Sequence, residues 1–352
     1  MHAREMTVDG EGVDGRAGVR AIGWALPSWE VRNEDVSAWS GLDPAFIEGK
    51  LGVATRRWLA DDETPTDLAA RALEDLRARA PELADRPIGL LVVVTQNPDF
   101  RLPHSSALLQ DRAGIGTDAA CFDINLGCSG WVYALSAVRG FMQGEGIDDA
   151  VIVTCDPYSR AMRRQDRDVV GLFGDAATAT WLSRGSGAGL GAADLGTDGS
   201  GASKLIVAAG GARDPLQDVR TDPATGPVAP DSDAMALRMD GRAIFNFLLT
   251  RVPASVSRCL ERNGLEMDEV DLLVFHQASR YLLEQLTRRL DVDPARVVID
   301  MADVGNTVSS TVPLTLARLG ERGALEGRTV LVSGFGVGLS WATNVLRYQT
   351  EG

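Results

Sequence analysis

The segment Leu90-Leu91-Val92-Val93-Val94-Thr95-Gln96 returns about 180 residues later as Asp271-Leu272-Leu273-Val274-Phe275-His276-Gln277, a period that signals a duplicated half rather than a solenoid. Two more pairs follow in the same order at nearly the same offset. Phe122-Asp123-Ile124 through Gly127-Cys128 matches Ile299-Asp300-Met301 through Gly305-Asn306, and Ala150-Val151-Ile152-Val153-Thr154 matches Thr329-Val330-Leu331-Val332-Ser333. The apolar runs lack alternation, as expected of strands covered on both faces. The chain is therefore expected to fold as two related α/β halves about a pseudo-twofold axis. Residues 1–18 form a flexible tail, 19–184 the first half and 185–352 the second. Thr66-Asp67 is expected to cap a helix whose Leu68, Ala72, Leu73 and Leu76 share one face. The glycine-rich stretch 185–201 is read as the crossing between halves.

Such an axis places Cys128 and Asn306 at equivalent strand-to-helix junctions facing one cleft. His276 ends the strand equivalent to the one ending at Thr95, which brings it to the same place. A thiol at a helix start meets unpaired N–H groups and the positive end of a dipole, which is expected to favour the nucleophilic thiolate. Each residue alone has a plainer reading: a small buried hydrophobe for Cys128, a hydrogen-bonded strand-end histidine for His276, a turn residue for Asn306. Their convergence through the duplicated fold favours one shared site.

These segments resemble the β-ketoacyl-acyl-carrier-protein synthase III group of the thiolase superfamily, from about Val19 to Tyr348. The most specific parts are Asp123-Ile124-Asn125 through Gly127-Cys128-Ser129-Gly130, Leu172-Phe173-Gly174-Asp175-Ala176-Ala177, His276-Gln277-Ala278, Gly305-Asn306-Thr307, and Gly334-Phe335-Gly336-Val337-Gly338-Leu339-Ser340-Trp341. The resemblance implies a thiolase-like α/β fold of two βαβαβ halves in five αβαβα layers, working as a homodimer. It implies that Cys128 takes an acyl group from a thioester. A malonyl extender on an acyl carrier protein then loses carbon dioxide, and its enolate attacks the acyl-cysteine. His276 and Asn306 would hold the enolate oxygen, and the N–H groups of Cys128 and Val337 a second oxyanion. No cofactor or metal is implied; coenzyme A or phosphopantetheine thioesters are substrates.

By the same resemblance Phe46, Lys50, Arg160, Arg242 and Ser279 are expected around the pantetheine and nucleotide. Leu102 is expected to reach the partner's acyl pocket, with His104 beside it in a structural role. Several of these depart from the commoner family residues: Phe46 for tryptophan, Lys50 for arginine, Ser279 and Arg242 for asparagines. The departures point to a bulkier or carrier-bound acyl donor in specialised lipid or polyketide biosynthesis.

Composition bounds the alternatives. Hydrophobic residues make up 45% and charged residues 24% of 352, ordinary values for a globular chain. No apolar run approaches the roughly 20 residues that span a bilayer, and the start lacks an apolar signal core, so a cytoplasmic protein is expected. A formal net charge of −14 argues against nucleic-acid binding. An acidic carrier protein would then need a local basic patch, for which Arg160, Arg163, Arg164, Arg167, Arg242, Arg251 and Arg280 are candidates. Four cysteines and three histidines show no metal spacing. The segment 210–233, rich in proline and glycine, is read as a loop over the acyl pocket.

Three rival chemistries fit parts of this pattern. A papain-like protease uses Cys, His and Asn in this order but needs neither the duplication nor this cysteine context. An acyltransferase to an alcohol or amine would keep the fold and need no enolate holder, so Asn306 speaks for condensation. A non-catalytic partner subunit of a condensing heterodimer would tolerate loss of the three residues, and all three remain.

Overall fold

The computed structural model describes residues 17–213 and 235–350, with the short ladder of Thr221–Asp222 and Gly226–Pro227 between them. Apolar strands build one ten-stranded sheet. Its path runs Leu272–Phe275, Thr329–Gly336, Ser340–Arg347, Ala188–Leu190, Ala17–Ala25, Ala177–Arg184, Asp149–Cys155, Leu90–Val94, Ala120–Ile124, and Asp194–Thr197 pairs alongside Ser340–Arg347. Leu90–Val94 lies parallel to both Ala120–Ile124 and Asp149–Cys155, and Leu272–Phe275 lies parallel to Thr329–Gly336.

The unalternating runs are explained by apolar cover on both faces. Leu90, Val92, Val94, Ile152, Leu272, Val274, Val330 and Val332 share one central cluster. The intervening Leu91, Val93, Val151 and Val153 pack under the helix Pro65–Arg79, and Leu273, Phe275 and Leu331 pack in the cluster that holds Val252 and Val256 of Gly241–Arg262. Period-two geometry thus sends each strand's residues alternately to the middle and to the outside. Two helices, Gly130–Glu145 and Thr311–Glu321, lie in the middle, touching strands of both halves. The continuous sheet thus forms two layers, the strands of the first half on one side of these helices and those of the second half on the other, and the outer helices complete the five αβαβα layers. Cys128 and Asn306 each lie just before a middle helix, so the site sits where the halves meet.

Hydroxyls stitch the seam between the halves. Thr154 Oγ1 stands 2.7 Å from Thr178 Oγ1 and 2.8 Å from Ser310 Oγ, which also donates to the Ala176 carbonyl at 3.0 Å. Buried hydroxyls that partner one another avoid a penalty of about 1–3 kcal/mol each for desolvation without a bond.

Several boundaries differ from the sequence reading. The first strand begins at Ala17, because Ala17 and Gly18 already pair with Arg184 and Ser183; residues 1–16 lie outside the described residues. The helix cap is Thr64, two residues earlier than expected. Its side chain accepts from Asp67 N while Asp67 accepts from Thr64 N, a reciprocal box with Pro65 at the first helical position. The stretch 185–201 is more than a crossing: Ala188–Leu190 and Asp194–Thr197 both pair with Ser340–Arg347. Most of the expected pocket loop (214–220, 223–225 and 228–233) lies outside the described residues.

Candidate active site

Cys128, His276 and Asn306 line one cavity of about 200 Å³, and all three are buried. The cysteine stands in the turn between Ala120–Ile124 and Gly130–Glu145, closed by Gly130 N donating to the Gly127 carbonyl at 2.7 Å. The strand Thr329–Gly336 passes directly against this turn. A side-chain carbon at Gly334 would stand 2.6 Å from the Cys128 carbonyl, and one at Gly336 3.0 Å from its Sγ, so only glycine allows this approach. The Ser340 hydroxyl donates to the Val337 carbonyl at 2.7 Å and accepts from Ser129 at 2.7 Å, fixing the 336–340 turn over the cysteine. In that arrangement the N–H groups of Cys128 and Val337 both point at Sγ.

Those two N–H groups pull the thiol's pKa down, as the helix start was expected to do, and they lose. Burial pushes it well above its ordinary value, and the buried Asp156 carboxyl adds to the rise. The expectation of a pre-formed thiolate is therefore corrected: desolvation of the charged form outweighs the local dipoles. Asp156 is itself pushed up to about 7 by burial. One prediction follows for alkylation. With a thiol pKa above 9, the thiolate fraction rises about tenfold per pH unit below that value. The iodoacetamide rate on the Cys128 peptide should climb with a slope near one from pH 6 to 9 without levelling. A plateau at or below pH 7 would show a thiolate stabilised beyond what this geometry supplies.

His276 continues its strand, its N–H donating to the Ser333 carbonyl at 2.7 Å, and its ring stands edge-on to Phe335. Burial lowers its pKa to about 3, opposed by a bond to the Val308 carbonyl, so the imidazole is neutral at any physiological pH. Nδ1 lies 2.7 Å from Thr311 Oγ1, whose hydroxyl donates onward to Val308 O at 3.0 Å. That direction puts the proton on Nδ1 and leaves the Nε2 lone pair toward the cavity. Rotating the Thr311 hydroxyl onto Nδ1 reverses the tautomer.

Asn306 Oδ1 accepts from Val308 N at 2.9 Å, which turns its NH2 group toward His276 Nε2, 3.4 Å away. Val308 takes a positive φ of 54° to make this turn, a strain of about 1–3 kcal/mol that the bonds at its N–H and carbonyl offset. The Asn306 backbone is held from the other half: its N–H donates to Leu172 O at 2.9 Å, and its carbonyl accepts from Gly174 N at 3.0 Å. Leu172 and Phe173 belong to the same cavity wall.

The expected substrate contacts fare unevenly. Ser279 lines the cavity, where its Oγ accepts from Leu282 N at 3.3 Å and caps the helix Arg280–Leu290. Lys50 stands over the Tyr281 ring at 5.2 Å, and Tyr281 stacks on Phe245; both rings line the cavity. Phe46 is exposed and outside the lining. Arg160 is not brought to the cavity: its guanidinium donates to the carbonyls of Ala60 and Glu63 and pairs with Asp61 at 3.7 Å. Arg242 is exposed just beyond Gly241, which does line the cavity. Leu102 is 87% exposed and His104 lies on the surface beside it. Of the candidate basic patch, Arg164 sits 5.0 Å above Trp29 and Trp39, and Arg251 pairs with Asp198 at 3.5 Å. The sequence reading missed Thr311, whose signal was the hydroxyl run Ser309-Ser310-Thr311 inside an apolar segment.

Known proteins resemble this chain along nearly its whole length. Residues 122–199 match the family model described as 3-Oxoacyl-[acyl-carrier-protein (ACP)] synthase III, and residues 260–348 match that of its C-terminal part. The chain is 31% identical over 333 residues to the β-ketoacyl-[acyl-carrier-protein] synthase III of Clostridium acetobutylicum, covering 92% of this chain and 96% of that one. It is 34% identical over 337 residues to β-ketoacyl-[acyl-carrier-protein] synthase III 5 of Streptomyces coelicolor, covering 94% and 97%. Among solved structures, a 3-oxoacyl-(acyl-carrier-protein) synthase III superposes with a TM-score of 0.87 at 34% identity, covering 95% of this chain and all of that one. The duplicated thiolase fold and this likeness along nearly the whole chain show that it belongs to the β-ketoacyl-[acyl-carrier-protein] synthase III family of condensing enzymes.

Proposed function

We propose that this enzyme loads an acyl group from a coenzyme A or carrier-protein thioester onto Cys128 and condenses it with a malonyl-type extender on an acyl carrier protein. The observation that carries this reading is the meeting of Cys128, His276 and Asn306 in one buried cavity, with two N–H groups aimed at the sulfur. In acylation Cys128 Sγ bonds to the thioester carbon. Its proton passes to the His276 Nε2 lone pair and on to the departing sulfur, while the Cys128 and Val337 N–H groups hold the tetrahedral oxyanion. In condensation the extender's C–CO2⁻ bond breaks and its electron pair forms an enolate. The enolate carbon attacks the acyl carbon, the C–S bond to Cys128 breaks, and the released thiolate takes a proton from water. Asn306 NH2, and His276 Nε2 once protonated in the other tautomer, donate to the enolate oxygen.

Acyl transfer to oxygen or nitrogen forms no enolate, so it would give the oriented Asn306 amide nothing to do. A homodimer fits the half-exposed strand Ala120–Ile124, which ends the sheet path among the described residues, and the exposed Phe100 and Leu102. No helix of the described residues is long and apolar enough to cross a membrane. A specialised pathway rests on the substituted contact residues Phe46, Lys50, Arg242 and Ser279.

The test is intact-protein mass spectrometry with a panel of acyl-coenzyme A and acyl-carrier thioesters, followed by malonyl-carrier protein. Loading on the Cys128 peptide, discharged with carbon dioxide and a product two carbons longer, is the expected result. Discharge only by an alcohol or amine would establish the acyltransferase instead, and no loading from any donor the partner-subunit reading.

A further inference from the structure

A second cavity of about 340 Å³ lies on the other side of Leu205 from the first, bounded by Val337 and Gly338 of the turn over Cys128. At about 30 Å³ per water-sized volume it holds about ten non-hydrogen atoms. One wall is apolar, with Leu205, Ile206 and Leu237; the other carries Gln96, Asn97, Asn125 and Tyr158. This is an unusual wall for a hydrocarbon tail. Each amide must keep a hydrogen-bond partner or lose about 1–3 kcal/mol on desolvation.

The polar wall begins next to the reacting sulfur. A side-chain carbon at Gly127 would stand 2.5 Å from Gln96 Oε1 and 3.2 Å from Tyr158 Oη, and Gly127 precedes Cys128. Tyr158 is buried, its ring tilted against Phe173 of the first cavity at 5.1 Å, and its hydroxyl donates to Gln96 Oε1 at 2.8 Å. The Gln96 backbone N–H is anchored on Asp156 Oδ1 at 2.6 Å. With its oxygen engaged and its backbone fixed, Gln96 presents a donor NH2 group. The side-chain amides of Asn97 and Asn125 extend the same wall outward.

We propose that the acyl group carried by Cys128 bears an uncharged oxygen function, a hydroxyl or ketone, that accepts a hydrogen bond from the Gln96 amide. This rests on the condensing reading above and names its donor class. The described lining contains no Lys, Arg or His, so a carboxylate would be buried without a counter-charge. The Asp156 carboxyl behind Gln96 also opposes an anion there. A plain alkyl chain would fill the apolar wall and leave the amides dry.

The experiment measures kcat/KM for acylation of Cys128 by hexanoyl-coenzyme A, by its hydroxy and oxo derivatives at successive chain carbons, and by adipyl-coenzyme A. All donors are also presented on carrier protein, to wild type, Gln96→Leu and Tyr158→Phe. At least one uncharged oxygenated donor should exceed hexanoyl by about tenfold or more. Gln96→Leu should bring that ratio close to one, and Tyr158→Phe, which removes only the hydroxyl that orients the amide, should lower it. Hexanoyl equal to or better than every oxygenated donor, adipyl as the best donor, or a ratio surviving in both variants overturns this inference and leaves the condensing reading intact. Failure of every donor to acylate Cys128 overturns both.

Discussion

Cys128→Ala is expected to show no acyl adduct after exposure to any thioester that loads the wild type, with acylation falling by about 10⁴-fold or more. No other thiol can substitute within the described structure. Cys155 and Cys259 are buried with their thiols directed at the carbonyls of Pro65 and Ala192, and Cys121 is directed at Ala119; none lines the cavity. The change removes one sulfur from a packed site, so stability should fall by only about 1 kcal/mol. A thermal melt close to wild type would assign the lost loading to chemistry rather than unfolding. An acyl group retained on the variant would place the nucleophile elsewhere and remove the basis of the proposed mechanism.

Asn306→Ala separates the two half-reactions. Its amide is bonded to Val308 N and faces His276 Nε2, so loading of Cys128 should stay within about threefold of wild type. Condensation should fall by about 10²–10³-fold, the usual effect of removing one donor from a developing oxyanion. The variant also frees the Val308 N–H held by Asn306 Oδ1, so Asn306→Asp, which keeps that acceptor but loses the NH2 donor, is the informative companion. Stopped-flow or quench measurements of loading and of malonyl-dependent discharge give the two rates. Equal losses in both steps would make Asn306 a scaffold residue and remove the enolate argument.

The duplication was legible because strands covered on both faces keep apolar runs whatever their partners, so Leu90–Val94 and Leu272–Phe275 still look alike. The meeting of Cys128, His276 and Asn306 was legible from the symmetry those runs imply. The thiol's direction of titration was not, since it depends on how completely 335–337 and Leu172–Phe173 seal the cavity. That Arg160 stands outside the cavity was not legible, because an alignment position does not reveal that the carbonyls of Ala60 and Glu63 claim its guanidinium. Gln96 and Tyr158 escaped notice for a related reason. Sixty-two residues apart, they meet only because their strands are neighbours, and nothing in either local sequence marks the hydrogen bond between them.

The two-bond clamp between Asn306 and the 172–174 segment has a consequence for how this scaffold can diversify. Phe173 is wall, and Asn306 is chemistry, yet one pair of peptide groups holds both. A substitution that reshapes the wall to admit a new acyl chain also displaces the amide that must meet the enolate. Substrate range and turnover are thereby tied in a single inheritable unit. New specificities in such a lineage would arise by paired changes across the two halves, or at walls such as Leu237 that carry no reacting group.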